Sequence, residues 1–356
     1  MLYAISIPSR LAPLLHQPMS SRLRAVNIDC NFDYTYERQR LDAIGVDLVE
    51  RKSVTEDEII AACAEADAVV LEGAKTPMTA RVIGALPRCR VIAKYAVGVD
   101  NVDIAAATNA GIVVANAADY CTEEVSDHAV ALLLAGARRI VAMDRYVRGG
   151  QWAGFSRNQP LRRVSQLTLG LIGLGRIARA TVRKMAGFRL RIIATDPYLG
   201  SQAIEPGVEI VTMAQLLRES DLISVHVPLT PETRGLLNQS TFRMMKPNAI
   251  VVNTSRGPVI DQEALIQALR EKWIGGAALD VVEEEPLPLS SPLREFDQVI
   301  LTPHSAADSA DSMMHVRRTV VDSVEAVLTG HWPPFPINPK VSPRSPLRPW
   351  SDLKRS

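Results

Sequence analysis

The chain has 356 residues, which is long enough for two domains with complete hydrophobic cores. Hydrophobic residues make up 47% and charged residues 22%, a balance typical of a soluble globular protein. The formal net charge of +1 offers no overall field to nucleic acid or to an anionic membrane, and no apolar run is long enough to cross a bilayer, so we expect neither partner.

The cysteines and the amino terminus predict a cytoplasmic location. Cys30, Cys63, Cys89 and Cys121 are widely spaced and form neither a metal-ligand pattern nor a disulfide framework, so we expect reduced thiols and no metal site. The opening stretch Met1-Leu-Tyr-Ala-Ile-Ser-Ile-Pro8 is mildly apolar, but Pro8, Arg10 and Pro13 interrupt it, which makes it a poor signal peptide. Segment 1–22 is predicted to be a loose amino-terminal extension.

Strands and helices alternate through the first third of the chain. The predicted strands span 24–29, 46–50, 67–71 and 91–96. The predicted helices span 34–44, 55–66 and about 79–86, and the second opens with the Thr-x-x-Glu form of a capping box. This alternation predicts a parallel sheet covered by helices on both faces.

A longer helix is predicted over 122–139, with acids in its first turn and arginines near its end, a polarity that suits the helix dipole. It is apolar over much of its circumference. The helix is therefore either deeply buried or part of a subunit interface, and we favour the interface.

The stretch 168–196 reads as an apolar strand, a glycine turn, a helix, a second strand and an acid. Gly173 allows the tight turn, and Gly175 lets the backbone approach a pyrophosphate at the helix N-terminus. Ala178 is small enough for the helix to pack closely on the strand. Asp196 lies 21 residues after Gly175, where a carboxylate can accept hydrogen bonds from ribose hydroxyls and repel a 2′-phosphate. The pattern predicts a dinucleotide fold that prefers NAD to NADP.

Further strands are predicted at 221–227, 249–253, 276–280 and 299–302, completing a dinucleotide fold over 168 to about 302. A final helix is predicted over 311–328. Seven prolines lie between Pro333 and Pro349, so the basic tail is expected to be irregular and partly disordered.

Three side chains at the ends of these later strands could perform chemistry. Arg256 offers a planar fork that can bind a carboxylate or 2-oxo acid. His304 can exchange a proton near neutral pH, and Glu285 could hydrogen-bond its second ring nitrogen and favour the imidazolium. Each residue alone could be an ordinary surface or loop residue. Their shared placement at strand ends of one dinucleotide fold favours a catalytic role.

The sequence resembles the D-isomer-specific 2-hydroxyacid dehydrogenases from about residue 23 to 335. The matching segments are Lys94-Tyr-Ala-Val-Gly-Val-Asp-Asn-Val-Asp103, Cys121-Thr-Glu-Glu-Val-Ser-Asp-His128, Gly173-Leu-Gly-Arg-Ile-Ala178, Thr195-Asp-Pro-Tyr198, His226-Val-Pro-Leu-Thr230, Asn253-Thr-Ser-Arg-Gly257, the run 280–286 and Thr302-Pro-His304. The resemblance implies that Arg256, Glu285 and His304 are the catalytic trio.

The resemblance also implies two doubly wound α/β domains, with a Rossmann NAD-binding domain (121–304) inserted in a flavodoxin-like substrate domain (23–120, completed by 305–335). A proline-rich tail would follow over 336–356. The substrate carboxylate would be bound by backbone amides near Val97 and Gly98 alongside Arg256, and the helix from Thr122 would pack across a homodimer. Implied NAD contacts are Gly173, Gly175, Arg176, Ile177, Asp196, His226, Val227, Pro228, Thr233, Thr254, Asp280, His304 and Ala306.

The substrate is expected to be a small 2-oxo acid such as glyoxylate or hydroxypyruvate. No regulatory domain follows the last helix, which disfavours a long phosphoglycerate dehydrogenase, and formate dehydrogenases have Gln where Glu285 stands. Phosphite remains open because phosphite dehydrogenases share the trio. Lys75, Val97 and Gly98 are placed on the substrate side, without a basic cluster that marks a phosphate pocket.

A second function class stays open at this point. The chain is also similar to the C-terminal-binding-protein corepressors, notably at Glu123-Glu124 and Asp196-Pro-Tyr-Leu199, and these proteins share the fold, trio and dimer. That alternative is a dimeric binding protein that senses NAD(H), in which the proline-rich tail could contact partners.

Overall fold

The computed structural model describes residues 22–28, 31–73, 76–153, 161–200 and 204–353. The expected extension over 1–22 lies, except for its last residue, outside these ranges. The expectations for Cys30 and Lys75 also lie outside the described residues.

Five parallel strands form one sheet, in the order β2-β1-β3-β4-β5. The strands are β1 Leu23–Asn27, β2 Val46–Glu50, β3 Ala68–Leu71, β4 Val91–Lys94 and β5 Val113–Ala115. Val26 of β1 lies opposite Val49 and Val69, so the β-branched residues stack across the sheet. This order is that of a flavodoxin-like doubly wound sheet.

Seven parallel strands form the second sheet, in the order β12-β11-β10-β9-β6-β7-β8. They are β6 Thr168–Ile172, β7 Arg191–Thr195, β8 Val208–Ile210, β9 Leu222–Val225, β10 Ile250–Asn253, β11 Gly276–Leu279 and β12 Val299–Leu301. The strand order reverses at β6, which pairs with both β7 and β9. That reversal is the switch point at which Rossmann folds bind their ligand.

The helices are α1 Thr35–Asp42, α2 Glu56–Cys63, α3 Ala80–Gly84, α4 Ile104–Asn109, α5 Thr122–Arg138, α6 Ile140–Arg148, α7 Arg176–Met185, α8 Met213–Glu219, α9 Gln239–Phe242, α10 Gln262–Arg270, α11 Ala310–Leu328 and α12 Trp350–Leu353. Short 3-10 helices span Val164–Gln166, Ala186–Phe188, Gly257–Val259 and Pro292–Arg294. None of the helices in the described ranges combines the length and apolar character of a membrane span.

Two helices show how the sheets are connected. α5 packs on α7, β10 and β11 of the seven-stranded sheet, whereas α11 returns to β3, β4 and β5 of the five-stranded sheet. The Rossmann unit is therefore inserted in the flavodoxin-like unit, and the predicted fold class is confirmed.

The predicted capping box is also present, because the side chain of Thr55 accepts a hydrogen bond from the backbone of Glu58 and the Glu58 carboxylate accepts one from Thr55 N.

Each sheet has an apolar core on both of its faces. Val70, Val91 and Val113 face α11, while Ile92 and Val114 face the opposite helices with Leu86. A smaller cluster, Cys121, Val125 and Ala306, lies where the chain crosses between the two units. The two chain segments that connect the units are therefore packed against each other.

The proline-rich tail is irregular, as expected, but the prediction that it is partly disordered is wrong for the described residues up to 353. The buried side chain of Asn338 accepts a hydrogen bond from Val114 N (2.8 Å) and donates one to Ile112 O (2.9 Å). Arg344 Nη1 donates to the carbonyl of Leu86 at 2.7 Å. The tail is therefore fixed along β5 by specific contacts that composition does not reveal.

Candidate active site

The glycine turn after β6 is held tightly against the neighbouring strands. Gly173 has φ of 91°, a conformation that favours glycine, and its N–H donates to the carbonyl of Thr195 at 2.9 Å. A Cβ at this position would lie 2.8 Å from the carbonyl oxygen of His226. The turn therefore requires glycine for both its dihedral angle and the close approach of the β9 end.

The N-terminus of α7 opens to free space. Gly175 precedes the helix, and no described atom lies within 4 Å of the position that its Cβ would occupy. Arg176 is exposed at the first helical position, while Ala178 is fully buried against the sheet. A phosphate group can thus approach the backbone N–H groups of the first turn.

Asp196 directly follows β7, beside this turn. Its Oδ2 accepts a hydrogen bond from Leu174 N at 2.9 Å, and its Oδ1 accepts one from Tyr198 N at 2.9 Å. These two backbone donors fix the carboxylate next to the glycine turn. This is the position that the sequence predicts for a ribose-binding acid.

The segment after β9 forms another wall of the same crevice. His226 Nε2 lies 2.9 Å from Ser224 Oγ, and burial lowers the pKa of His226 to about 4, so this ring is neutral at physiological pH. Thr233 Oγ1 donates to the carbonyl of Pro228 at 2.6 Å and closes the loop that carries Val227.

Thr254 follows β10 and contains an unsatisfied buried polar atom. The residue is buried, and its Oγ1 has no hydrogen-bond partner among the described residues. Buried hydroxyl groups are ordinarily paired, so this atom indicates a site for an external partner. With the open N-terminus of α7 and the carboxylate of Asp196, it fits a bound dinucleotide.

Asp280 organises the turn that carries His304. The buried carboxylate accepts hydrogen bonds from Thr302 Oγ1 at 2.6 Å and from the backbone N–H groups of Ser305 and Ala306 at 3.0 Å each. The carbonyl of Asp280 accepts a further bond from His304 N at 2.8 Å, and His304 has φ of 55°. The His304 backbone is thus fixed on both sides of its unusual conformation.

His304 and Glu285 form a hydrogen-bonded pair, with 2.7 Å between His304 Nδ1 and Glu285 Oε2. The hydrogen bond that His304 donates to Glu285 raises the pKa of His304 and outweighs the effect of partial burial. Burial is the largest single influence on Glu285 and opposes its ionisation, but the hydrogen bond and charge of His304, together with Val282 N–H and Arg256, outweigh it and lower the pKa of that carboxyl. Because Nδ1 is bonded to Glu285, Nε2 is the ring nitrogen that remains free to face the cleft, by which we mean the space between the five-stranded and seven-stranded units.

Arg256 reaches across from the seven-stranded unit to the loop after β4. Its Nε donates to Asp100 Oδ2 at 2.8 Å and its Nη1 donates to the carbonyl of Ser255 at 2.8 Å. A Cβ on residue 98 would lie only 1.7 Å from Arg256 Nη2, so Gly98 is in direct contact with the guanidinium. The structure thus brings Arg256 together with the predicted substrate loop, in which the carbonyl of Val97 is held by Asn116 Nδ2 at 2.6 Å.

Two supporting residues were not predicted. Asn253 Oδ1 accepts from Ser255 N at 3.0 Å, and Asn253 Nδ2 donates to the carbonyl of Arg256 at 2.9 Å, which shapes the turn beneath the guanidinium. His128 of α5 lies 3.0 Å from Thr302 Oγ1, behind the His304 turn. Asn253 could have been found as a polar residue ending an apolar strand, whereas His128 carries no such signal.

The sequence and the fold are both similar to those of known proteins. The sequence profile of the D-isomer specific 2-hydroxyacid dehydrogenase NAD binding domain matches residues 130–306. A glyoxylate reductase of Korarchaeum cryptofilum is 44% identical over 268 residues, covering 74% of this chain and 81% of that protein. A D-3-phosphoglycerate dehydrogenase of Mycobacterium tuberculosis is 37% identical over 303 residues, covering 84% of this chain but 56% of that protein.

Among solved structures, the D-lactate dehydrogenase of Aquifex aeolicus, complexed with NAD and lactic acid, is similar with a TM-score of 0.76 and 26% identity. The match covers 86% of this chain and 95% of that one. The chain belongs to the D-isomer specific 2-hydroxyacid dehydrogenase family and is an NAD(P)-dependent dehydrogenase acting on the CH–OH group.

Proposed function

We propose that the protein uses NADH to reduce a small 2-oxo acid to the corresponding D-2-hydroxy acid, and catalyses the reverse oxidation. The observation that carries the proposal is the His304–Glu285 pair at 2.7 Å, on the strand-end side of a dinucleotide fold that also presents Arg256. The relationship to a glyoxylate reductase at 44% identity supports a substrate of this class.

The proposed steps follow from the residues present. Arg256 and the backbone N–H groups of Val97 and Gly98 bind the substrate carboxylate and orient its carbonyl group. When bound, reduced nicotinamide supplies the hydride. His304 donates the proton from Nε2 to the carbonyl oxygen as charge develops there. Glu285 accepts the hydrogen bond from Nδ1–H, which fixes the ring and stabilises the protonated imidazole before transfer.

NAD is proposed as the cofactor rather than NADP. The Asp196 carboxylate is held beside the glycine turn by two backbone donors, so it cannot easily rotate away from a 2′-phosphate. Like charges would then disfavour NADP. Thr254 Oγ1, the N-terminus of α7 and the loop from His226 to Thr233 are the groups that would hold the dinucleotide.

A homodimer is proposed through α5 and α6. α6 contains no buried residue, and Ile140 and Val147 on it expose about half of their surface (54% and 46%). Apolar side chains in such a position favour contact with a second copy. Light scattering at several concentrations tests this, and a monomer at every concentration would refute it.

The test of the function is NADH consumption with glyoxylate, hydroxypyruvate, pyruvate and phenylpyruvate, with NADPH in parallel. We expect rapid turnover of at least one acid with NADH, and loss of that turnover in Arg256→Gln while NADH binding is retained. Tight NADH binding without turnover of any 2-oxo acid would refute the proposal and favour a cofactor-sensing binding protein. Normal turnover in Arg256→Gln would refute the role of Arg256.

A further inference from the structure

Asp100 lies on the opposite side of the cleft from the backbone of Arg256. It follows β4 of the five-stranded unit, whereas Arg256 follows β10 of the seven-stranded unit, and 156 residues separate the two in sequence. The Asp100 Oδ2–Arg256 Nε hydrogen bond of 2.8 Å therefore bridges the two units. Any opening of the cleft must lengthen or break this contact.

Asp100 has no evident local role in the fold. In the described part of the chain, its hydrogen bond to Arg256 is the one that its carboxylate makes. The neighbouring acid Asp103, by contrast, caps α4 by accepting from Ala106 N at 2.9 Å. An acid beside a site that binds carboxylates would repel the substrate unless a cation balanced its charge. The presence of Asp100 beside Arg256 therefore requires an explanation.

The contacts of the guanidinium provide that explanation. Asp100 Oδ2 accepts a hydrogen bond from Nε, and the carbonyl of Ser255 accepts one from Nη1, each at 2.8 Å. No described residue accepts a hydrogen bond from Nη2, which lies against the backbone of Gly98. Two edges of the planar group are thus fixed from two different units, and the third is left facing the position proposed for the substrate carboxylate.

We propose that Asp100 is a positioning residue, which holds Arg256 from across the cleft so that Nη2 faces the substrate carboxylate at Gly98. The inference rests on the proposed function, because it concerns the same reaction. It also links substrate binding to cleft closure: Arg256 is fully oriented only when the two units are close enough for Asp100 to reach it.

The test compares Asp100→Ala with Asp100→Asn. Losing one charge-assisted hydrogen bond is expected to raise KM for the 2-oxo acid about tenfold or more in Asp100→Ala, with a smaller change in kcat. Asp100→Asn should stay within about threefold of the wild type, because its amide oxygen still accepts from Nε. The affinity for NADH and the melting temperature should not change in either variant.

Asp57→Ala is the matched control, because Asp57 also pairs with an arginine, Arg81, but its side chain is 81% exposed and makes no hydrogen bond to Arg256. It should leave KM unchanged. A wild-type KM in Asp100→Ala would overturn the proposal, as would an equal loss of melting temperature in both Asp100 variants. Absence of turnover in the wild type would instead overturn the proposed function, so the two failures are distinguishable.

Discussion

Replacing Gly98 by alanine should disable the substrate site without unfolding the protein. The added Cβ would lie 1.7 Å from Nη2 and 2.8 Å from Cζ of Arg256, whereas carbon contacts require about 3.5–4.0 Å. The guanidinium must therefore move by roughly 2 Å. It is the far end of a flexible side chain and can do so, but only by giving up its hydrogen bonds to Asp100 and Ser255.

The cost of that movement sets the expected loss of activity. Each hydrogen bond to a charged group contributes about 1.5–3 kcal/mol when buried, and we discount each to about 1–1.5 kcal/mol because the side chains of Arg256 and Asp100 are 30% and 34% exposed. A combined loss of about 2–3 kcal/mol in transition-state binding corresponds to a decrease in kcat/KM of about 30- to 150-fold.

The assay is steady-state reduction of the preferred 2-oxo acid at saturating NADH, alongside NADH titration and thermal melting. Gly84→Ala is the matched control, since no described atom lies within 4 Å of the Cβ position at Gly84 in α3. It should leave kcat/KM unchanged. A folded Gly98→Ala protein with wild-type kcat/KM would refute the assignment of Arg256 to substrate binding.

Three further outcomes are expected. Glu285→Gln removes the charge that raises the pKa of His304, so the imidazolium is lost at lower pH and the alkaline limb of the reduction profile should move to lower pH; an unmoved profile would contradict this. Asp196→Asn should narrow the preference for NADH over NADPH by about tenfold or more in kcat/KM, and an unchanged ratio would refute the role of the carboxylate. Asn338→Ala should lower the free energy of unfolding by about 2–4 kcal/mol in urea titration, because it leaves the buried Val114 N–H unpaired; the exposed Lys340→Ala serves as its control.

The doubly wound sheets could be predicted because their signals are local. Alternating apolar strands and amphipathic helices, together with the glycine turn at Gly173, are patterns within short windows of sequence. The break between α5 and α6 could not be predicted in this way. It occurs at Arg139, which adopts a left-handed conformation with φ of 52° although no glycine or proline marks the position. The exposed edge strand β8 was also missed, because three residues are too few to establish an alternating pattern.

The same distinction between local and long-range signals applies to the candidate site. Arg256, Glu285 and His304 could be proposed because each follows a strand, and the carboxyl ends of parallel strands meet at one edge. The residues that contact this trio from distant parts of the chain could not be predicted in this way. The contact between Asp100 and Arg256 spans 156 residues, and tertiary packing, not local composition, determines it. The ordered tail is a similar case, since Asn338 bonds to a strand 224 residues earlier.

The tail bears on how the protein avoids edge-to-edge aggregation of its five-stranded sheet. β5 is an edge strand, and the tail pairs with its exposed backbone: Ile337 N donates to Val114 O at 2.8 Å, and Asn116 N donates to Phe335 O at 3.3 Å. Unpaired edges are templates for adding strands from other molecules. A chain shortened before residue 335 should therefore expose the unpaired edge of β5 and aggregate more readily than the full chain.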